Sequence, residues 1–291
     1  MARPRPGLRR RSAARAHPQG ALSARTPSRT RRHSRCPAAV SSVPLNATDP
    51  PPHIPYFDAP HIGALILTML VPLVLVKWVK REESGELSRK TGWVLAGLLL
   101  ANELGYRVFH FMQAESTREF LELSLPIHLC PLALFAGVIA LWRRSQVSYE
   151  FAYFVGLTGT LNALLTPDIV RPFPSFGFIG YFVSHGGVLL TVMYATWALK
   201  MRPTRHSLWR IFLLLNAVLV VLALVNLALG GQANYAFLCG APAADTPFFF
   251  APWPWYIPIL EGVALGMFVL AYLPFWFSDR LASQRARDKP D

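Results

Sequence analysis

The sequence predicts an all-α, polytopic membrane protein with seven transmembrane helices, its N-terminus outside and its C-terminus in the cytoplasm. Three observations carry that expectation. Of the 291 residues, 53% are apolar and only 15% charged, whereas a soluble domain carries about 25% charged residues. Seven apolar runs approach or exceed the length needed to cross about 30 Å of hydrocarbon. Basic residues fall between alternate pairs of those runs, as they do when cytoplasmic loops retain Lys and Arg.

The chain divides into three parts. Residues 1–52 form an Arg/Pro/Ser-rich tail with almost no large apolar residue, and such a segment cannot offset its chain entropy by burial. Eleven arginines and no acid lie in 1–45; the remainder holds 18 Lys+Arg against 16 Asp+Glu, so the net charge of +13 belongs to the tail. The tail reads as disordered, or as upstream sequence ahead of a true start at Val40 or Val43, and less well as a targeting or nucleic-acid-binding arm. The membrane domain covers 53–277, and 278–291 form a basic cytoplasmic tail. Three cysteines exclude a disulfide framework.

The expected spans are 61–79, 91–113, 125–142, 149–166, 176–199, 208–229 and 256–277. In lipid each must satisfy its own backbone, which makes them helices. Lys77, Lys80, Arg81, Arg89 and Lys90 separate the first two. Arg143 and Arg144 separate the third and fourth, and Lys200, Arg202, Arg205 and Arg210 the fifth and sixth. Arg280, Arg285, Arg287 and Lys289 follow the seventh. The opposite connections hold only Arg118 and Arg171 beside several acids, which sets the orientation.

Ionisable residues at membrane depth are costly and mark function. The second span carries Asn102, Glu103, Arg107 and His110, the last three sharing a helical face. The third carries His128 and Cys130, and the fourth Asn162, running into Asp168. The fifth carries Ser184 and His185, and the seventh Glu261. With the predicted orientation, these groups converge on the outer half of the membrane, while the inner halves are nearly all Leu, Val, Ala and Ile. Glu103 would lie about 15 Å down at 1.5 Å per residue. Each also has a plainer reading: Glu103 and Arg107 as a helical pair, Asn162 as a helix–helix contact, Cys130 as a small buried apolar side chain.

A thiol at this depth needs a base to become a thiolate. His185 and His110 come from other helices at compatible depth. His128, two residues from Cys130, would face some 200° away on a helix. An acyl thioester on Cys130, its chain lying along apolar helix walls, is the chemistry this pattern fits. His110, His128, Cys130 and His185 are metal-ligand types, but no i, i+3 or i, i+4 pair joins them, so no metal and no other cofactor is expected.

Four stretches carry a resemblance: Leu125-Pro126-Ile127-His128-Leu129-Cys130; Asn162-Ala163-Leu164-Leu165-Thr166-Pro167-Asp168; Phe182-Val183-Ser184-His185-Gly186; and Asn234-Tyr235-Ala236-Phe237-Leu238 followed by Pro252-Trp253-Pro254-Trp255-Tyr256. In order and spacing they resemble the YwaF family of bacterial integral membrane proteins, related to the eukaryotic transmembrane protein 164 acyltransferases. The resemblance covers about residues 53–277. It implies a cell-membrane acyltransferase moving fatty acyl chains between glycerophospholipids, with membrane lipids as substrates and no nucleic-acid partner. It also implies Cys130 and His185 as the catalytic pair. Asn234 and Tyr235 then become candidate headgroup contacts, and Ala236 stands where a bulkier residue is expected. Two rivals remain at this stage. One is a transporter or small-ligand binding protein, with Glu103, Arg107, Asp168 and the histidines lining a polar cavity. The other is a structural partner without a site.

Overall fold

The structure is a computed structural model that describes residues 54–169, 171–242, 249 and 251–287. The tail expected over 1–52 lies outside these residues. Among the described residues the secondary structure is helical, with no strand.

Helix α1 (Ala59–Val79) opens with Asp58, whose side chain accepts the His61 N–H at 2.9 Å, and with a proline in its first turn. Both are N-terminal signals. After the left-handed Gly85 comes α2 (Glu86–Gln113), burying Ser88, Gly92, Ala96, Leu99 and Glu103. The spacing of four, four, three and four residues is one helical stripe, made mostly of small side chains.

Helix α3 (Thr117–Leu123) is not among the predicted elements. Ser116 Oγ accepts the Glu119 N–H at 3.1 Å, while Glu119 reaches back to the Glu115 N–H at 2.7 Å. That reciprocal cap starts a helix too short and too polar to register as a span.

The third expected span is shortened. Residues 125–128 are not helical, and α4 runs Leu129–Arg143. Pro131 gives the reason. A helix from 125 would place it in the interior, where its missing N–H and its ring break the ladder; a start at Leu129 places it in the first turn, where no N–H is needed. The fourth segment is a continuous but irregular helix. Helix α5 (Gln146–Phe151) passes through a π-turn (Ala152–Gly156) into α6 (Leu157–Leu165). Then follow α7 (Phe176–Trp197), α8 (Ser207–Leu229), a 3-10 turn (Tyr235–Phe237) and α9 (Tyr256–Arg287). The last runs on past the expected end at 277. The apolar run stops there, but Leu281, Ala282, Gln284 and Arg285 are good helix formers.

Helices α1, α7, α8 and α9 are long and apolar enough to cross a membrane. The other expected spans correspond to α2, with its charged residues, to the 15-residue α4, and to the divided α5–α6 segment.

Helix α7 is the centre, packed by α1, α2, α4 and α6. Its approach to them is close because small residues face large ones. A methyl group at Gly180 would come within 2.6 Å of Tyr106, and one at Gly187 within 2.5 Å of Leu99. This is how helices associate where apolar surface alone gives no preference over lipid. The end of the bundle where α2 stops and α4 and α7 begin is here termed the site end. The far end is less uniformly apolar than expected. Glu150, fully buried, takes a hydrogen bond from Gln146 at 2.6 Å and an ion pair from Arg210. Tyr194 donates to the Ser88 carbonyl at 2.7 Å.

Candidate functional site

Cys130 is the second residue of α4, a free thiol and half-buried. It therefore carries no bridge to Cys239. Its Sγ abuts α6: a methyl group at Gly159 would sit 3.6 Å from it, and Thr160 borders it on the next residue. The His128 side chain makes no hydrogen bond to the start of α4. Leu132 N–H bonds the His128 carbonyl at 3.1 Å and Pro131 has none to give. The backbone N–H of Cys130 is thus one of the orphan donors of a helix start, in the end of the helix dipole that favours negative charge.

His185 lies nine residues into α7. Its Nδ1 is 2.9 Å from the Tyr181 carbonyl, one turn back. A carbonyl only accepts, so Nδ1 carries the hydrogen and Nε2 presents its lone pair. The Tyr181 ring stacks on the imidazole with centroids 4.0 Å apart. Tyr181 is itself fixed. Its hydroxyl donates to the Ala163 carbonyl at 2.9 Å and meets the Asp168 backbone, and its electrostatic surroundings include Cys130. One tyrosine thus orients the histidine, ties α7 to the end of α6, and neighbours the thiol.

Behind them runs a polar chain. Asn102 Nδ2 donates to Ser184 Oγ at 3.0 Å, and Ser184 Oγ donates to Glu103 Oε2 at 2.9 Å. Glu103 Oε1 lies 3.0 Å from Arg107 Nε, an ion pair whose N–H is not aimed along the line of a hydrogen bond. Arg107 Nη1 donates to the Ser124 carbonyl at 2.8 Å, and the guanidinium rests over Tyr106. Because Ser184 precedes His185, this chain holds the α7 turn that carries the histidine.

The remaining candidates are dispersed. His110, at the last turn of α2, stands edge-on to Tyr106. His128 is not helical, so the 200° argument does not apply to it. Its ring packs at a tilt against Tyr235 and Phe237, and its Nδ1 accepts the Ala236 N–H at 3.4 Å. Asn162, half-buried on α6, offers its carbonyl to Thr166. Asp168 is exposed in the loop after α6, and Glu261 is half-buried on α9. Asn234 spends its amide within its own loop, on the Gly240 carbonyl and the Cys239 N–H, each at 2.9 Å. Tyr235 is fully buried, donating to the Leu121 carbonyl at 2.8 Å and accepting from Leu125 N–H at 3.0 Å. Ala236 has φ +56°, a left-handed backbone that suits a small residue.

The fold joins Asn102, Glu103 and Arg107 through Ser184, brings Tyr181 against His185 and near Cys130, and leaves His128, Asn234 and Tyr235 in the neighbouring α3–α8 loop cluster. Sequence reasoning did not single out Tyr181, although an aromatic residue four before a histidine on one helix was a visible signal. It also did not separate Thr160 from Thr158. Thr158 donates to the Phe154 carbonyl at 2.9 Å inside the π-turn, whereas the buried Thr160 hydroxyl finds no nitrogen or oxygen partner among the described residues and borders the Cys130 thiol.

A search of curated proteins and a search of solved structures each find no match. A family model, described as the TMEM164 family, matches residues 56–272, from just ahead of α1 into α9. With the four membrane-length helices, this match shows that the chain is a membrane protein belonging to the TMEM164 family.

Proposed function

We propose that this chain is a membrane-embedded lipid acyltransferase that moves fatty acyl chains between glycerophospholipids through a thioester on Cys130, with His185 as general base. The observation that carries the reading is the Tyr181 clamp. It leaves the imidazole with its Nε2 lone pair available, held by a tyrosine whose surroundings also include a free thiol at a helix start. Nucleophile, base and orienting group are the three parts such chemistry needs.

The Cys130 proton passes to His185 Nε2 as Sγ attacks the ester carbonyl carbon of a phospholipid. The tetrahedral intermediate collapses, the ester C–O bond breaks, and the departing lysophospholipid oxygen takes the proton from Nε2. A second lysophospholipid hydroxyl then gives its proton to Nε2 and attacks the thioester. The thiolate leaves and recovers the proton. Leu161 and Leu165 on α6, with Ile179 and Val183 on α7, present apolar side chains outward, a wall against which an acyl chain would lie. All seven helical segments cross the cell membrane in this reading, with the site end outside and the Lys/Arg-rich end cytoplasmic. Membrane lipids are the substrates, and nucleic acid has no role.

The transporter reading needs Glu103 and Arg107 to line a polar cavity, whereas they turn to each other and to Ser184 and Ser124. The test is acyl transfer from a labelled phospholipid to a lysophospholipid in proteoliposomes. Cys130→Ala should abolish it, and His185→Ala should lower it by about 100-fold or more. Full transfer by Cys130→Ala overturns the reading.

A further inference from the structure

The geometry points to an oxyanion site at Cys130, formed by its own backbone N–H at the start of α4 and by the hydroxyl of Thr160 on α6. This deepens the acyltransferase reading and rests on it. Two independent features carry it. The first is the uncapped helix start: the Cys130 N–H has no acceptor among the described residues, and the His128 side chain does not fill the gap. The second is Thr160. It is 2% exposed, its Oγ1 has no nitrogen or oxygen partner, and its polar neighbour is the Cys130 thiol.

An unpartnered hydroxyl buried in protein is costly and calls for a reason. The other hydroxyls of these helices show how readily the cost is avoided. Thr158, Thr166, Thr191 and Thr196 each donate to a carbonyl three or four residues back, at 2.7–2.9 Å. Thr160 lies one turn beyond the π-turn Ala152–Gly156 and does not donate back to its own helix. The group it borders is the Cys130 thiol.

An oxyanion on the carbon bonded to Sγ forms within reach of both donors. As Sγ adds to the ester carbonyl, the C=O electron pair moves onto oxygen. The Cys130 N–H and the Thr160 O–H then donate to that oxygen until it collapses and expels the lysolipid. Donors fixed before the charge develops stabilise the transition state more than the ground state. The same pair serves the second half-reaction, in which the acceptor hydroxyl regenerates the same kind of intermediate.

The experiment compares wild type with Thr160→Val and Thr160→Ser in proteoliposomes, measuring two rates on each. One is formation of the acyl adduct on Cys130 from phospholipid, by intact mass. The other is alkylation of Cys130 by a maleimide across pH, which needs the thiolate but no oxyanion. Thr160→Val should lower acylation by about 100-fold, change alkylation far less, and be rescued by Thr160→Ser. Unchanged acylation in Thr160→Val overturns the inference while leaving the thioester reading intact. An equal fall in alkylation also overturns it, since Thr160 would then act on the thiolate. If wild type gives no adduct, or Cys130→Ala gives one, the thioester reading fails and takes the inference with it.

Discussion

Removing the carboxylate of Glu103 probes the polar chain that holds the His185 turn. Glu103 is 2% exposed, accepts from Ser184 at 2.9 Å and pairs with Arg107 at 3.0 Å, while Arg107 itself is 18% exposed. Glu103→Ala deletes a hydrogen bond to a charged acceptor, worth about 1.5–3 kcal/mol. It also leaves Arg107 with only the Ser124 carbonyl. Breaking a buried pair costs about 3–5 kcal/mol. The partial exposure of Arg107 lets it swing toward polar surroundings, which places the expected loss near the lower figure, about 3 kcal/mol. Arg107→Ala strands the more deeply buried partner and should cost more. Glu103→Gln keeps the acceptor for Ser184 and should cost about 1–2 kcal/mol. At about 2–4 °C per kcal/mol for a chain of this size, Glu103→Ala should lower the melting temperature in detergent by about 6–12 °C. The double variant Glu103→Ala/Arg107→Ala should be less damaging than the sum of the two, by about 2 kcal/mol. Single losses below about 1 kcal/mol, or losses that add to within about 0.5 kcal/mol, would refute the view that Glu103, held by Arg107, ties α2 to α7 through Ser184.

Two further predictions concern the α3–α8 loop cluster. The Glu122 carboxylate is held below its ordinary value of 4.5, first by the Gln232 N–H at 2.8 Å and then by Arg118 at 2.6 Å. A depressed folded value gives stability that is complete above the unfolded pKa and lost as pH falls through the folded one. Melting temperature should therefore fall more steeply between about pH 5 and pH 3 in wild type than in Glu122→Gln; parallel curves would contradict this. Gly231 has φ +57°, and a methyl group there would lie 2.3 Å from both Glu122 oxygens. Gly231→Ala should cost about 3 kcal/mol, the left-handed penalty plus the displaced carboxylate. Gly85→Ala, with φ +73° and nothing within 4 Å, should cost about 1–2 kcal/mol. Equal losses in thermal unfolding would show that the Glu122 contact carries no weight.

Much of the helical arrangement was legible because hydropathy and helix breakers report directly on chain length in lipid. The seven apolar runs each hold helix, and the loop charges give an orientation that the fold itself does not test. Boundaries were less legible. Pro131 moves the start of α4 by four residues, and that shift changes the chemistry. It turns Cys130 from a residue within a span into one at a helix start with a free backbone donor. Polar residues were visible one by one, and the pairing of Glu103 with Arg107 follows from helical spacing alone. What spacing could not reveal was which polar group spends its hydrogen bonds on structure. Asn234 and Tyr235 look like surface contacts in the sequence, yet their polar atoms close the loop. Thr158 and Thr160 look alike, yet Thr158 donates backward and Thr160 does not. Glu150 escaped notice because its partners, Gln146 and Arg210, come from one turn away and from another helix.

The central claim, a covalent acyl-enzyme on Cys130, is open to one direct measurement. Purified protein is incubated with mixed phospholipids, and its intact mass is recorded before and after neutral hydroxylamine, for wild type and Cys130→Ala. The account predicts a mass increase equal to a fatty acyl group in wild type, removed by hydroxylamine and absent from Cys130→Ala, with the increment naming the chain transferred. An adduct on Cys130→Ala, or none on wild type, would contradict it.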